Sequence, residues 1–252
     1  MRENRSFWSN EIVKDIIRII AIQSDLYSYH GIERCQKAIK NIAEKMGFNT
    51  SKHGNESVLV IEPKGFKAPA KLGVLVHLDT VPFKKKDWSF DPLGEVANDR
   101  IYGRGVIDDK AGIILALYTF KYLEDKIQPS WQIIVGSAEE SDWSDMKDFL
   151  REKPVLPEFL ITIDGDGVQN GCRGYMDLEL KFRKQKKTKF ITKLYVPDGV
   201  SNVIPNCAIA KVNGDKLTAG GIAKHSSEPA EGTKALEENA LLKLTNQISK
   251  NK

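Results

Sequence analysis

The sequence predicts an α/β layer protein built on a largely parallel sheet. Two observations lead there. Short β-branched runs bounded by turn residues alternate with helical-period segments through about residue 165. The polar and acidic residues between them gather where the strands end, the edge at which ligands collect in such sheets.

Taken in order, "SNEIVKDIIRIIAI" (9–22) follows a polar cap with Ile12, Val13, Ile16, Ile17 and Ile20 at helical spacing. A second helix fits 31–46, closed by Gly47. "SVLVIEP" (57–63) and "KLGVLVHL" (71–78) read as strands, and "RIYGRGV" (100–106) as a short strand after a loop rich in Lys, Asp and Pro. A long helix covers 110–125, a strand 131–137, a helix starting at a serine 141–153, and a strand 158–164. "YMDLELKF" (175–182) is a further strand. "RKQKKTK" (183–189) breaks the pattern and marks a boundary; without aromatic interleaving it reads as an exposed hinge rather than a nucleic-acid patch. Beyond it come short strands at 190–196 and 207–212, a turn at Asn213-Gly214-Asp215, and a helix over 233–248. Trp88 and Trp143 read as packing residues.

Composition narrows the class. With 252 residues, the chain can bury a sizeable core without disulfides or metal staples. A net charge of +4, from 38 basic and 34 acidic residues, makes no case for nucleic acid or a membrane surface. Cys35, Cys172 and Cys207 are sparse and odd in number, which fits a reducing cytosol, and no CxxC or CxxH pair offers a zinc finger. The N-terminus lacks a signal-length apolar stretch, and "IIRIIAI" is too short to span a bilayer. A cytoplasmic protein is expected.

The strand ends carry the chemistry. "VLVHLD" ends on His77 and Asp79; "IYGRGVIDDKAG" runs into Asp108 and Asp109; "IIVGSAEES" ends on Glu139 and Glu140; "FLITIDGD" ends on Asp164, with Asp166 close behind as the other acid that could reach the site. Carboxylates crowded together repel and raise one another's pKa unless divalent cations sit among them. A His-plus-carboxylate set without thiolate suits Zn²⁺, and Mn²⁺ or Co²⁺ nearly as well. One bridging Asp would make a two-metal hydrolytic site. At a strand end neighbouring side chains diverge, so one of Glu139 and Glu140 can bind metal while the other serves as general base. Asp79 behind His77 would accept its second ring N–H and fix the tautomer. Asp109 has a second reading, as a helix N-cap.

"HLDTVP", "WSFDP", "IYGRGVIDDKAG" and "EESDW", in that order, resemble the dizinc aminoacylase/carboxypeptidase/dipeptidase family, nearest to its bacterial Xaa-His dipeptidase branch with the carnosinase-like enzymes. The resemblance implies a three-layer α/β/α zinc-peptidase-like catalytic domain (residues 1–182) and an incomplete α+β lid domain (183–252). It implies that His77 and Asp164 bind one zinc, that Asp108 bridges both through a cis peptide to Asp109, that Glu140 binds the other and that Glu139 is the general base. In the lid, His225 matches the histidine that stabilises the oxyanion, and Asn202 an asparagine near the substrate carboxylate. The expected substrate is a small peptide, cleaved at its amide bond by a metal-activated water. The rivals are deacylation of N-acyl amino acids by the same chemistry and a truncated, non-catalytic metal-binding remnant. No histidine follows His225, where the family supplies a last zinc ligand, and no lid arginine matches the one that would hold the substrate carboxylate. The expectation is a fragment ending within the lid, a reduced relative, or a chain whose site another chain completes; a homodimer is expected separately.

Overall fold

The computed structural model describes residues 2–164, 191–196, 203–204, 206–222, 224–225 and 240–250, and the chain divides into two units, Met1–Val168 and Gln169–Lys252. The expected strand at 175–182, the basic run 183–189 and the domain boundary at 182/183 lie outside the described residues.

The first unit contains, in chain order, α1 (Arg2–Ile20), α2 (Tyr29–Lys45), β1 (Asn49–His53), β2 (Val58–Glu62), β3 (Leu72–His77), β4 (Glu95–Ala97), β5 (Arg100–Tyr102), α3 (Lys110–Leu123), β6 (Trp131–Gly136), α4 (Ser144–Arg151) and β7 (Phe159–Thr162). Five of these strands form a mixed sheet in the order β1-β2-β6-β3-β7. β3 lies parallel to both β6 and β7, while β2 joins β6 and β1 antiparallel. The central strands β2, β6 and β3 are apolar on both faces because both are covered, whereas the edge strands β1 and β7 are exposed. Leu59, Ile61, Val74, Val76, Ile133 and Val135 point into one core with Ile16, Ile19 and Ile20 of α1, Ile39 and Ile42 of α2, and Ile113, Ile114 and Leu117 of α3. The alternate residues Val58, Val60 and Ile134 meet Phe149 of α4 on the other face. The expected three layers are thus present, with unequal helical cover.

Some elements differ from the sequence reading. β1, "NTSKH", has no apolar residue to announce it; it is an exposed edge strand made by pairing with β2. The strand expected at 100–106 stops at Tyr102 and pairs with β4 across Asn98 and Asp99, both at positive φ (51° and 57°), as a tight hairpin turn requires. The helix expected from 141 begins at Ser144. Ser141 bonds back to the Ala138 carbonyl, Trp143 is left-handed (φ 59°), and the Asp142 carboxylate accepts the Ser144 N–H at 3.0 Å.

In the second unit β8 (Ile191–Tyr195), β10 (Cys207–Val212) and β11 (Asp215–Gly220) form an antiparallel sheet, and β9 (Val203–Ile204) pairs with β12 (Lys224–His225). Ala208, Ala210, Val212 and Ala219 pack against Ala240, Leu244 and Ile248, one stripe of α5 (Ala240–Lys250). Among the described residues no helix is long and apolar enough to cross a membrane.

Candidate metal centre

The parallel half of the first sheet makes the site. His77 stands opposite Gly136, so β3 and β6 end level, and β7 ends two residues earlier with Thr162 opposite Leu75. The residues that follow each strand therefore emerge on one edge: Asp79 after β3, Glu139 and Glu140 after β6, Asp164 after β7. The turn that precedes α3 brings Asp108 to the same place. Its peptide link to Asp109 is cis, as the resemblance implied.

His77 is nearly buried, with its side chain 4% exposed. Its Nδ1–H donates to the main-chain carbonyl of Asp79 at 3.0 Å, with the Asp79 carboxylate at 3.3 Å from the same nitrogen. Nε2 is thereby turned outward, 2.8 Å from Asp108 Oδ1 and 4.0 Å from Asp164 Oδ2. One ligand atom from each of His77, Asp108 and Asp164 lies within 4.8 Å of the others. The carboxyl groups of Glu140 and Asp164 both come within hydrogen-bonding reach of Asp108, which is the hub of the cluster. Asp79, itself buried, also accepts the main-chain N–H of Glu139 (3.3 Å) and of Glu140 (3.0 Å). It therefore orients the imidazole and the acidic loop together.

The electrostatics fit a cation. Burial disfavours a charged His77, yet hydrogen bonds to Asp108 and Asp79 and the charges of both push its pKa up to about 11. The His77 hydrogen bond, working against burial, holds the Asp108 carboxyl below its usual range. One imidazolium satisfies one carboxylate, and the rest go the other way. Burial first, then like charges, raises Asp164 and Glu139, and raises Glu140 to about 7. Crowded carboxyls thus become harder to ionise, a cost that a divalent ion among them would relieve. An imidazole and oxygen donors suit a borderline dication such as Zn²⁺, with Mn²⁺ and Co²⁺ as alternatives.

Two features behind the cluster escape the sequence reading. Asp109 stands at the N-cap position of α3 but makes no side-chain cap bond; it is fully buried, and its Oδ2 accepts the His77 main-chain N–H at 3.3 Å instead. Burial pushes its pKa up to about 8, and among the described residues Oδ1 has no hydrogen-bond partner. Gly112 makes room for it, since a Cβ there would lie 2.0 Å from Asp109 Oδ1. Lys110, 1% exposed, donates to the carbonyls of Ile19 (3.2 Å) and Ile22 (2.6 Å). A buried ammonium thus caps the end of α1 and anchors the start of α3 beside Asp108. The run Asp-Asp-Lys-Ala-Gly held that signal, but a lysine reads as surface until its partners are known.

A cavity of about 210 Å³ borders the cluster, lined by His77, Glu139 and Asp164 with apolar Leu75, Met146 and Trp143. Trp143, expected as a packing residue, lines this cavity, is 49% exposed and stands in a left-handed conformation just before α4. A larger cavity, about 560 Å³, lies on the far side of the 137–145 loop against α2 and the β1–β2 turn, away from Asp108 and Asp164. Of the remaining expected residues, Asn202 and Asp166 lie outside the described residues, and His225 is described only as backbone in β12.

The sequence matches Peptidase family M20/M25/M40 over residues 73–219. A curated relative, the Beta-Ala-Xaa dipeptidase of Lactobacillus delbrueckii subsp. lactis, is 27% identical over 231 residues, covering 85% of this chain and 48% of its own. Two solved structures share the fold. The M20 family metallo-carboxypeptidase Sso-CP2 from Sulfolobus solfataricus has a TM-score of 0.53 at 23% identity, over 61% of this chain and 37% of its own. Human carnosine dipeptidase 1 has a TM-score of 0.52 at 19% identity, over 60% and 37%. The chain spans about half the length of the curated relative, 48%, and less of the structures.

Proposed function

The chain belongs to peptidase family M20/M25/M40, and on that premise we propose that it carries the catalytic half of a metal-dependent hydrolase that cleaves the amide bond of dipeptides. The single observation that carries this reading is the convergence of His77, Asp108 and Asp164 on one point, with Glu139 and Glu140 on the adjoining loop. The dipeptide assignment draws on the name of the Lactobacillus relative.

Two zinc ions are proposed, with manganese or cobalt as alternatives. His77 and Asp164 would hold one, Glu140 the other, and Asp108 both. Bound there, the dications would polarise the amide carbonyl and acidify the attacking water. Glu139 is proposed as the general base. Half-buried and raised by burial, its carboxyl is more basic than an exposed one. It takes the proton of the attacking water and returns it to the departing amine, so that water is added across the C–N bond. Asp79 holds the His77 tautomer that presents the Nε2 lone pair outward. The proposed roles of His225 at the oxyanion and Asn202 at the substrate carboxylate rest on the resemblance alone. A cytoplasmic location is proposed from the sparse, odd cysteine set, and a homodimer is proposed with it.

The test is hydrolysis of a β-alanyl or α-linked dipeptide by the purified chain with added Zn²⁺, with and without chelator. Cation-dependent release of amino acids is expected. Absence of any cation uptake in the same sample would sink the reading.

Cation affinity should also rise with pH between about 6 and 8. The cation-free protein holds a proton on His77 (pKa about 11) and, below about 7, on Glu140. Both must leave on binding, so lower proton activity favours uptake. Calorimetry in buffers of different ionisation enthalpy should register proton release. A pH-independent affinity would contradict the ligand set.

A further inference from the structure

We infer that Asp145 is a positioning residue of the proposed reaction: it holds in place the loop from which Glu139 and Glu140 reach the cluster. The inference rests on the metallohydrolase reading, and nothing in the "EESDW" signature points to it.

Asp145 is in the first turn of α4, where an acid ordinarily faces solvent and the positive end of its own helix. Here it is 3% exposed and faces the end of β6. Its Oδ2 accepts the main-chain N–H of Ser137 at 2.6 Å and of Ala138 at 3.1 Å, and its Oδ1 that of Met146 at 2.6 Å. Asp79 accepts the next two, from Glu139 and Glu140. Two buried carboxylates thus take the N–H groups of consecutive residues 137 to 140, and the acidic pair is carried on a loop held from both sides. Gly136 fits the same purpose, since a Cβ there would lie 2.8 Å from Asp145 Oδ2 and 2.9 Å from the Met146 Cε. Only a bare backbone lets the helix come this close to the strand end. Without Asp145, the buried amide of Ser137 and the half-buried amide of Ala138 lose their acceptor and the loop must rearrange to reach water. A shift of about 1 Å in a reacting group costs up to about 10²-fold in rate.

The experiment compares the whole chain with Asp145→Ala, Asp145→Asn and the control Asp148→Ala, after thermal melts establish which variants fold. Asp148 lies on the same helix but pairs outward with Asn55 at 2.8 Å. Hydrogen exchange is read at residues 137–140 in the cation-free proteins, Zn²⁺ affinity by competition with a chromogenic chelator, and kcat separately from KM on a dipeptide. In Asp145→Ala, exchange at 137 and 138 should quicken by about tenfold or more, Zn²⁺ affinity should fall about 10–100-fold, and kcat should fall with KM nearly unchanged. Asparagine keeps one acceptor oxygen for the two amides, so Asp145→Asn should recover most of each loss, and Asp148→Ala should match wild type. If the alanine variant unfolds, the asparagine variant carries the test through a smaller change in the same three readouts. Folded Asp145 variants with wild-type exchange and affinity overturn the inference. A wild-type chain that takes up no Zn²⁺ overturns the metallohydrolase reading instead, and with it the functional part of this inference, while the exchange rates still decide whether Asp145 holds the loop.

Discussion

Glu139→Gln should retain cation uptake and lose turnover of a dipeptide by about 10²–10⁴-fold, the usual worth of a positioned proton-transfer group. The substitution is nearly isosteric, and the loop does not depend on the side chain it changes. Asp79 holds residue 139 through its main-chain N–H, and holds residue 140 in the same way. What is removed is a half-buried carboxyl whose basicity is raised by burial and by its acidic neighbours. An amide has no basicity to replace it. Metal content by elemental analysis and turnover on the same sample separate the outcomes. Normal turnover would dismiss Glu139 as base. Lost metal together with lost turnover would make it a ligand and move the base role to Glu140.

Asp108→Ala should have the opposite signature, with the cations failing first. Asp108 meets His77 Nε2 at 2.8 Å and interacts with both Glu140 and Asp164, so its loss touches several members of the cluster. Its removal should weaken Zn²⁺ binding by more than the roughly 10–100-fold typical of a group placed behind a ligand. A second readout needs no metal at all. Asp108 is the foremost of the groups that raise His77, so in the cation-free variant the imidazole should titrate well below its value of about 11. Burial then works with less opposition. Ring-proton NMR across neutral pH would follow that titration. An imidazole still charged through pH 9 in the variant would show that Asp79 alone sustains it, and would contradict the hub role.

The cluster was legible in the sequence because a strand end is a local event. An apolar run, a turn, and a polar residue just after it place His77, Glu139, Glu140 and Asp164 on one edge as soon as the strands are taken as parallel. β1 was not legible, because an exposed edge strand needs no apolar pattern once β2 supplies its hydrogen bonds. Nor was the mixed sheet. The period of a strand says that it is covered on both faces and nothing about the direction of its neighbour, so β2 joining antiparallel to β6 left no local mark.

The sequence by itself determined which acidic and imidazole residues gather at the strand ends. Residue type, and position at the end of an apolar run, suffice for that. Only the tertiary structure decided what holds them. Asp79 serves the imidazole and the acidic loop at once, Lys110 is spent on the carbonyls at the end of α1, and Asp145 gives one oxygen to its own helix and the other to the end of β6. The physical reason is that a buried acid or ammonium takes its role from its partners. Those partners lie in other segments, Lys110 and the carbonyl of Ile19 being 91 positions apart, and only folding brings them together.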